Sequence, residues 1–271
     1  MNIFELEYDY SIDEEDGIIV KANDKLDKFN VDLLNIGDLK KPSKLIEVLS
    51  IIFDLEGFTN FTKQVDPQLS IPNFISEFFN WLFNNIKDEL ILNNKENILW
   101  AELPFFCKFM GDGALFLWRI DLDKISLVDE TLTSEELQGN LQEYLCNIVA
   151  TMFDICDNYK KFYNKAKKDY VSPPQKLRCG IARGNVFPIG NGRDFVGPCI
   201  NIAARLQKFN GLSFAFSARG IDANGFNVDY KEFFIKKRVK IHGIGDNELI
   251  YILKKEFDKL TDTVKAKFIT V

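Results

Sequence analysis

Three short stretches of this chain place acidic, amide and cationic side chains where strands end or helices begin. In the first, Ile51, Ile52 and Phe53 read as a buried strand that stops at Asp54 and turns at Gly57, after which Phe58 and Thr59 open a helix. A carboxylate at the end of an apolar strand is costly without a partner, and a glycine lets the backbone pass close to a ligand. Strand, acid, glycine turn and helix start suit a divalent cation on Asp54 with phosphates against the backbone N–H groups that follow. The second stretch, Met110-Gly111-Asp112-Gly113, lies between two β-prone runs. It presents Asp112 at a hairpin tip, and alternation puts Lys108 on the same face. In the third, Asn201 and Arg205 lie four residues apart, one turn of a helix that opens at Gly197-Pro198. An amide and a guanidinium stacked in this way can grip a phosphate from one side. Taken singly, each stretch is also readable as an ordinary strand-ending turn, a Gly-Asp-Gly hairpin or a polar pair on a helix surface.

The elements that must position these residues follow from periodicity. A long helix is expected from about Pro72 to Leu92, with Phe74, Ile75, Phe78, Phe79, Leu82, Phe83, Ile86 and Leu90 recurring at helical spacing and Pro72 in its first turn. The stretch Ile98–Ile120 reads as the hairpin that carries Asp112, and 121–135 as an irregular insertion. A second long helix spans about Ser134 to Lys168, with Leu137, Leu141, Tyr144, Leu145, Ile148, Met152, Ile155, Tyr159 and Phe162 as its stripe. Lys176–Gly190 reads as a strand, a turn and a returning strand. The helix after Gly197 is expected to bury Ile200, Ala203, Ala204 and Phe209, and three further strands follow it. Strands and helices mix with hairpins, so the expected fold class is α+β, a mainly antiparallel sheet with packed helices. Phe4, Leu6, Tyr8 and Tyr10 alternate with polar residues ahead of a DEEDG turn and GIIVKA, which reads as an N-terminal hairpin. The expected organisation is an arm over 1–43, one domain over 44–255 and a tail over 256–271.

Composition narrows the chemistry. The chain has 271 residues, 46% of them hydrophobic, enough for a sizeable core in one domain. No stretch of about 18 apolar residues would span a membrane, and the acidic N-terminus is unlike a secretory signal. A cytoplasmic protein with five reduced thiols is expected. The single histidine, His242, excludes His-clustered metal sites and disfavours a Ser-His-Asp hydrolase. A net charge of −6 gives no sign of a nucleic-acid track.

FDLEGFT at Phe53–Thr59, KFMGD at Lys108–Asp112 and DFVGPCINIAAR at Asp194–Arg205 resemble, in order and spacing, the three signature blocks of class III nucleotidyl cyclases. The resemblance covers about residues 44–255 and implies a ferredoxin-like cyclase domain. It implies that Asp54 and Asp112 hold two Mg²⁺ or Mn²⁺ ions per site, with the Leu55 carbonyl as an extra ligand. Glu56, Gly57, Phe58 and Thr59 would cradle phosphates. Asn201 and Arg205 would orient the ribose and stabilise the transition state, and Lys108 and Asp194 would read the base. It implies a head-to-tail homodimer, one chain giving the acids and cradle and its twin giving Lys108, Asp194, Asn201 and Arg205. At the position of the family's triphosphate lysine this chain has His242, with Lys240 and Arg238 nearby; either cation could serve, or the phosphates are held differently, and Lys240 is taken as the candidate phosphate ligand.

Base choice divides. An accepting Asp194 and a donating Lys108 suit adenine or cytosine. Ile52–Phe83 is more similar to the pyrimidine cyclases of the Pycsar antiphage systems, which make cyclic UMP or cyclic CMP after infection to activate a separate effector. UTP and CTP both stay open. Phe58, Phe105 and Phe106 are candidates for shrinking a purine pocket to pyrimidine size. The expected function is therefore a pyrimidine nucleotide cyclase; an adenylate cyclase or a catalytically silent nucleotide-binding domain are the alternatives.

Overall fold

A single strand, β3 (Ile46–Glu56), organises the molecule. In the computed structural model, which describes residues 8–13, 17–22, 39, 44–94, 101–121 and 133–270, β3 lies between two antiparallel neighbours. These are β5 (Gly113–Arg119) and β6 (Lys176–Ile189). Alternation sends Leu49, Ile51, Phe53 and Leu55 into the main core and Val48, Ser50, Ile52 and Asp54 to the opposite face. Both faces are covered, which explains why VLSIIF is buried throughout and apolar but for Ser50.

The main sheet continues through β4 (Phe106–Phe109), β8 (Phe214–Ser217), β9 (Phe234–Ile241), β10 (Gly245–Leu253) and β11 (Phe268–Thr270). Its order is β11-β9-β10-β8-β6-β3-β5-β4, and every pairing is antiparallel except β6 with β8. The α+β expectation holds. One face carries α2 (Pro67–Asn94) and α3 (Ser134–Ala166), which meet through aromatic side chains. Phe74 meets Phe162 at 5.8 Å between ring centroids, Phe78 meets Tyr159 at 6.2 Å, and Trp81 meets Phe162 at 5.3 Å. A capping box starts α3, with Thr133 Oγ1 accepting from the Glu136 N–H and Glu136 Oε2 accepting from the Thr133 N–H. The other face carries α4 (Pro198–Leu206), packed across β3 and β8.

Several expectations are corrected. The first long helix begins at Pro67, where the Ser70 N–H already donates to the Asp66 carbonyl, so Pro72 lies inside it. Lys176–Ile189 is one continuous strand rather than a strand, turn and return, because its whole length finds partners on β3 and beyond. The helix α4 buries Cys199, Ile202, Ala203 and Leu206; only Ala203 was on the expected stripe. Residues 256–270 are no loose tail: after two short helices, α6 (Lys254–Phe257) and α7 (Asp262–Lys265), β11 extends the sheet beside β9. Another short helix, α5 (Val228–Lys231), precedes β9. Residues 98–100 of the expected hairpin and most of the expected insertion, 122–132, lie outside the described residues. Cys146, Cys179 and Cys199 are buried thiols, while Cys156 is half-buried and Cys107 exposed.

The chain divides into two units. The larger comprises Ile46–Val186 and Gly197–Val271 and holds the sheet and helices above. The smaller comprises Met1–Leu45 and Phe187–Val196. It contains the antiparallel ribbon of β1 (Tyr8–Asp13) and β2 (Gly17–Ala22), as the N-terminal alternation foretold, and β7 (Asp194–Val196), which pairs with Phe187–Ile189.

Candidate active site

The register of the central strands assembles an acid pair. Asp54 stands opposite Gly113 on β5 and opposite Arg178 on β6. Asp112, one residue before Gly113, is thereby brought beside Asp54, and the Leu55 N–H donates to the Asp112 carbonyl at 3.1 Å. The approach depends on Gly113, since a Cβ there would lie 2.0 Å from the Phe53 carbonyl oxygen. Any side chain at 113 would force β5 away from β3 and separate the two acids.

Arg178 was not anticipated. Its Nε donates to Asp54 Oδ2 at 3.0 Å, and its Nη2 bonds to the same oxygen. The two side chains are 21% and 13% exposed, so the pair is largely shielded from water. The Asp112 carboxyl is pushed above its ordinary value by burial and then by the charge of Asp54; Arg178 and Lys208 pull it back. Lys208, just beyond α4, is a second cation missed from the sequence. Neither was visible because neither adjoins a signature acid along the chain.

The turn after β3 takes the expected form. Gly57 has φ +89°, a left-handed conformation that favours glycine, and nothing lies within 4 Å of where its Cβ would be. The short helix α1 (Phe58–Phe61) follows, with the Asn60 and Phe61 N–H groups donating to the Gly57 carbonyl. Glu56, Gly57 and Thr59 are exposed beside the acids, whereas the Leu55 side chain is buried in the core.

The remaining candidates lie on other elements. Lys108 is exposed on edge strand β4, opposite Leu115, which is opposite Ile52; it therefore shares the Asp54 face of the sheet. Asn201 and Arg205 are both exposed on α4, and among the described residues neither side chain has a hydrogen-bonding or ionic partner. Lys240, on β9, pairs with Asp246 at 2.7 Å, both largely exposed, and His242 sits exposed in the following turn. Asp194 belongs to the smaller unit, where its Oδ1 accepts from the Phe195 N–H at 2.8 Å. One chain thus unites Asp54, Leu55, Asp112 and the 56–59 turn, and joins neither aspartate to Asn201, Arg205 or Lys240.

The aromatic candidates for a small base pocket are not gathered at the acids. Phe58 turns into the core against Phe61 and Phe74, with ring centroids 5.7 and 6.5 Å away. Phe105 precedes β4 and lies under the Arg119 guanidinium, and Phe106 pairs with Leu117, well along the hairpin from its tip. An apolar slot of about 310 Å³ instead involves Ile75, Phe79, Phe83 and Phe109, with Lys108 among its walls. A cavity of about 1420 Å³, bordered by α3, α5 and α6, has none of the acid-site residues in its lining.

The donor set fits hard divalent cations. Two adjoining carboxylates next to a glycine turn resemble sites at which Mg²⁺ takes one or two carboxylates and completes its shell with water and substrate phosphate. Among the described residues no group of three or more His, Cys, Asp or Glu side chains forms a closed metal cage.

Two solved structures share this architecture. A bacterial light-regulated adenylyl cyclase matches over 84% of this chain and 56% of its own, with a TM-score of 0.51 and 17% identity. The adenylyl cyclase CyaB from P. aeruginosa matches over 79% of this chain and 96% of its own, with a TM-score of 0.50 and 13% identity. The fold is that of class III cyclase catalytic domains. The chain spans little more than half of the light-regulated cyclase, so the cyclase fold is what the two hold in common. No protein-family model and no curated protein matches the chain. Within the cyclase fold of this chain, the acid pair sits at the adjoining ends of β3 and β5 and the Asn201–Arg205 face on α4.

Proposed function

We propose that this protein is a nucleotide cyclase that converts UTP or CTP to the 3′,5′-cyclic monophosphate and diphosphate. The observation that carries the reading is the juxtaposition of Asp54 and Asp112 beside the open Gly57 turn, in a cyclase fold. Asp54, Asp112 and the Leu55 carbonyl would hold two Mn²⁺ or Mg²⁺ ions. Such ions, when bound, lower the pKa of the ribose 3′-hydroxyl and neutralise charge on the leaving phosphates. The 3′-oxygen then forms its bond to the α-phosphorus as the bond to the bridging oxygen breaks. Diphosphate leaves with that electron pair, and the hydroxyl proton passes to solvent.

This chain's residues divide the remaining work. The 56–59 turn, helped by Lys240, positions the phosphates. Arg205 offsets charge growing on the α-phosphoryl oxygens, a contribution worth roughly 10²–10³ in rate. Asn201 orients the ribose, while Lys108 and Asp194 read the base. Because Asn201 and Arg205 are exposed and have no side-chain partner among the described residues of one chain, they are assigned to the acid site of a second copy in a homodimer. Among the described residues no helix is long and apolar enough to cross a membrane, in keeping with action in the cytoplasm. The proposed product is a messenger in antiphage defence, read by a separate effector.

A second reading, an adenylate cyclase, is favoured by the accepting Asp194 and donating Lys108 and by the names of the two structural neighbours. Incubation with each of the four nucleoside triphosphates and Mn²⁺, followed by identification of cyclic products, separates the two. Cyclic UMP or cyclic CMP is expected. Cyclic AMP alone selects the second reading, and no cyclic product from any of the four rejects both.

A further inference from the structure

We propose that the loop after α1 and the loop after α3 together form a face that docks on an anionic lipid surface. The contact is peripheral and needs neither a spanning segment nor a nucleotide, so it stands independently of the cyclase reading.

A clamp between the two loops builds the face. Gln64 donates from Nε2 to the Val171 carbonyl at 2.5 Å and accepts at Oε1 from the Val171 N–H at 3.2 Å. Val171 is thereby fixed beside Val65, the residue after Gln64. The second loop is anchored from below. The Tyr170 ring packs on Phe61 and Phe74, with centroids 5.9 and 5.4 Å away, and its hydroxyl donates to Glu77 Oε1 at 3.0 Å. The Tyr159 hydroxyl donates to the Pro174 carbonyl at 2.8 Å, and Pro173 and Pro174 are buried. Aromatic and proline side chains turn inward while aliphatic ones stand out. Val65 is 91% exposed, Val171 67%, and Leu69, in the first turn of α2, 63%.

Lysines flank these side chains. Residues 61–70 and 160–171 carry Lys63, Lys160, Lys161, Lys165, Lys167 and Lys168 against only Asp66 and Asp169, in a chain whose net charge is −6. On α3, Tyr159, Phe162 and Ala166 bury the inward face, which leaves its lysines on the outer one. All six lysines are exposed, and among the described residues none forms an ion pair. Like charges gathered in this way repel one another, and an external anionic surface offsets that cost. Lysines near a helix C-terminus also suit the helix dipole, but that role calls for no exposed valines beside them.

The composition of the face selects lipid over other polyanions. Its cations are lysines without an arginine, and its exposed apolar groups are aliphatic. Tyr163 lies under the Lys167 ammonium at 5.8 Å and Tyr170 points inward, so neither ring is open for stacking. Nucleic acids are gripped by arginine forks and free aromatic faces. Protein interfaces are enriched in Tyr, Trp and Arg and depleted in Lys. An anionic leaflet instead asks for lysine point charges around shallowly inserted apolar side chains. Lysine stems are long enough to reach headgroups while the valines enter the acyl boundary.

The test is flotation of the full chain with vesicles of phosphatidylcholine alone or mixed with phosphatidylserine, without nucleotide. Binding to the phosphatidylserine vesicles is expected, weakened by high salt, with little on phosphatidylcholine alone. The combined variant Lys161→Gln, Lys165→Gln, Lys168→Gln should lower partitioning about tenfold or more. The pair Val65→Ser, Val171→Ser should lower it severalfold. Thermal midpoints should be unchanged, because all five side chains are exposed. No binding to phosphatidylserine vesicles, or undiminished binding by the lysine variant, overturns the proposal. Binding that the serine substitutions leave intact is charge attraction alone and overturns it too, as does binding to a single-stranded oligonucleotide but not to the vesicles.

Discussion

Arg178 places two donors, Nε and Nη2, on one oxygen of Asp54 across neighbouring antiparallel strands. The pair holds the carboxylate that the proposed metal needs, so a cation must share or displace the guanidinium. In Arg178→Ala, Asp54 loses its partner where it is only 13% exposed, and stability should fall by about 1–3 kcal/mol in denaturant unfolding without metal. Saturating Mn²⁺ should restore more stability to the variant than it adds to the wild type. Equal gains would show that metal and arginine do not compete for Asp54.

Asp112 gives a pH signature. Its carboxyl is raised above 3.8 by burial first and the Asp54 charge second. The native state therefore holds a proton that the unfolded chain has released, and stability falls as pH climbs from the ordinary value through the raised one. Asp112→Asn removes that decline. Metal-free thermal midpoints should converge with the wild type at low pH and lie at or above it at neutral pH, while cyclic product is lost. A variant less stable than the wild type at neutral pH contradicts this account of the charge.

Lys240 separates stability from function. Its ion pair with Asp246 is exposed on both sides, at 70% and 73%. Breaking it in Lys240→Ala should change stability by less than about 0.5 kcal/mol. Under the proposed role the variant keeps its thermal midpoint but needs severalfold more nucleotide to saturate. An unchanged KM would remove Lys240 from the phosphate site.

What the sequence made legible was local. The acid after IIF, the glycine turn and the Gly-Asp-Gly tip are contiguous, and each lies where periodicity ended a strand. The Asn201–Arg205 spacing likewise survived as an exposed helical face, although the buried stripe beneath it was misread. Arg178 stayed hidden because cross-strand register brings it to Asp54 from 124 positions away, and Lys208 because the docking of α4 on β6, seen where Gly180 meets Gln207, is not written along the chain. The length of β6 was hidden for a related reason: Lys176–Gly190 was read as a strand, a turn and a return, yet Gly184 within it lies in a strand against the side chain of Cys199. The closing strand β11 is three residues long, too short for alternation to reveal, and is held by pairing with β9.

The central claim, that acids from one chain and Arg205 from its twin meet on one nucleotide, is tested most directly by mixing two inactive variants. Asp54→Ala and Arg205→Ala proteins, each silent alone, should regain activity once their subunits exchange. Half the dimers would then be mixed and carry one intact site, restoring roughly a quarter of wild-type sites. Continued silence in a mixture shown by labelled subunits to have exchanged would contradict the shared site.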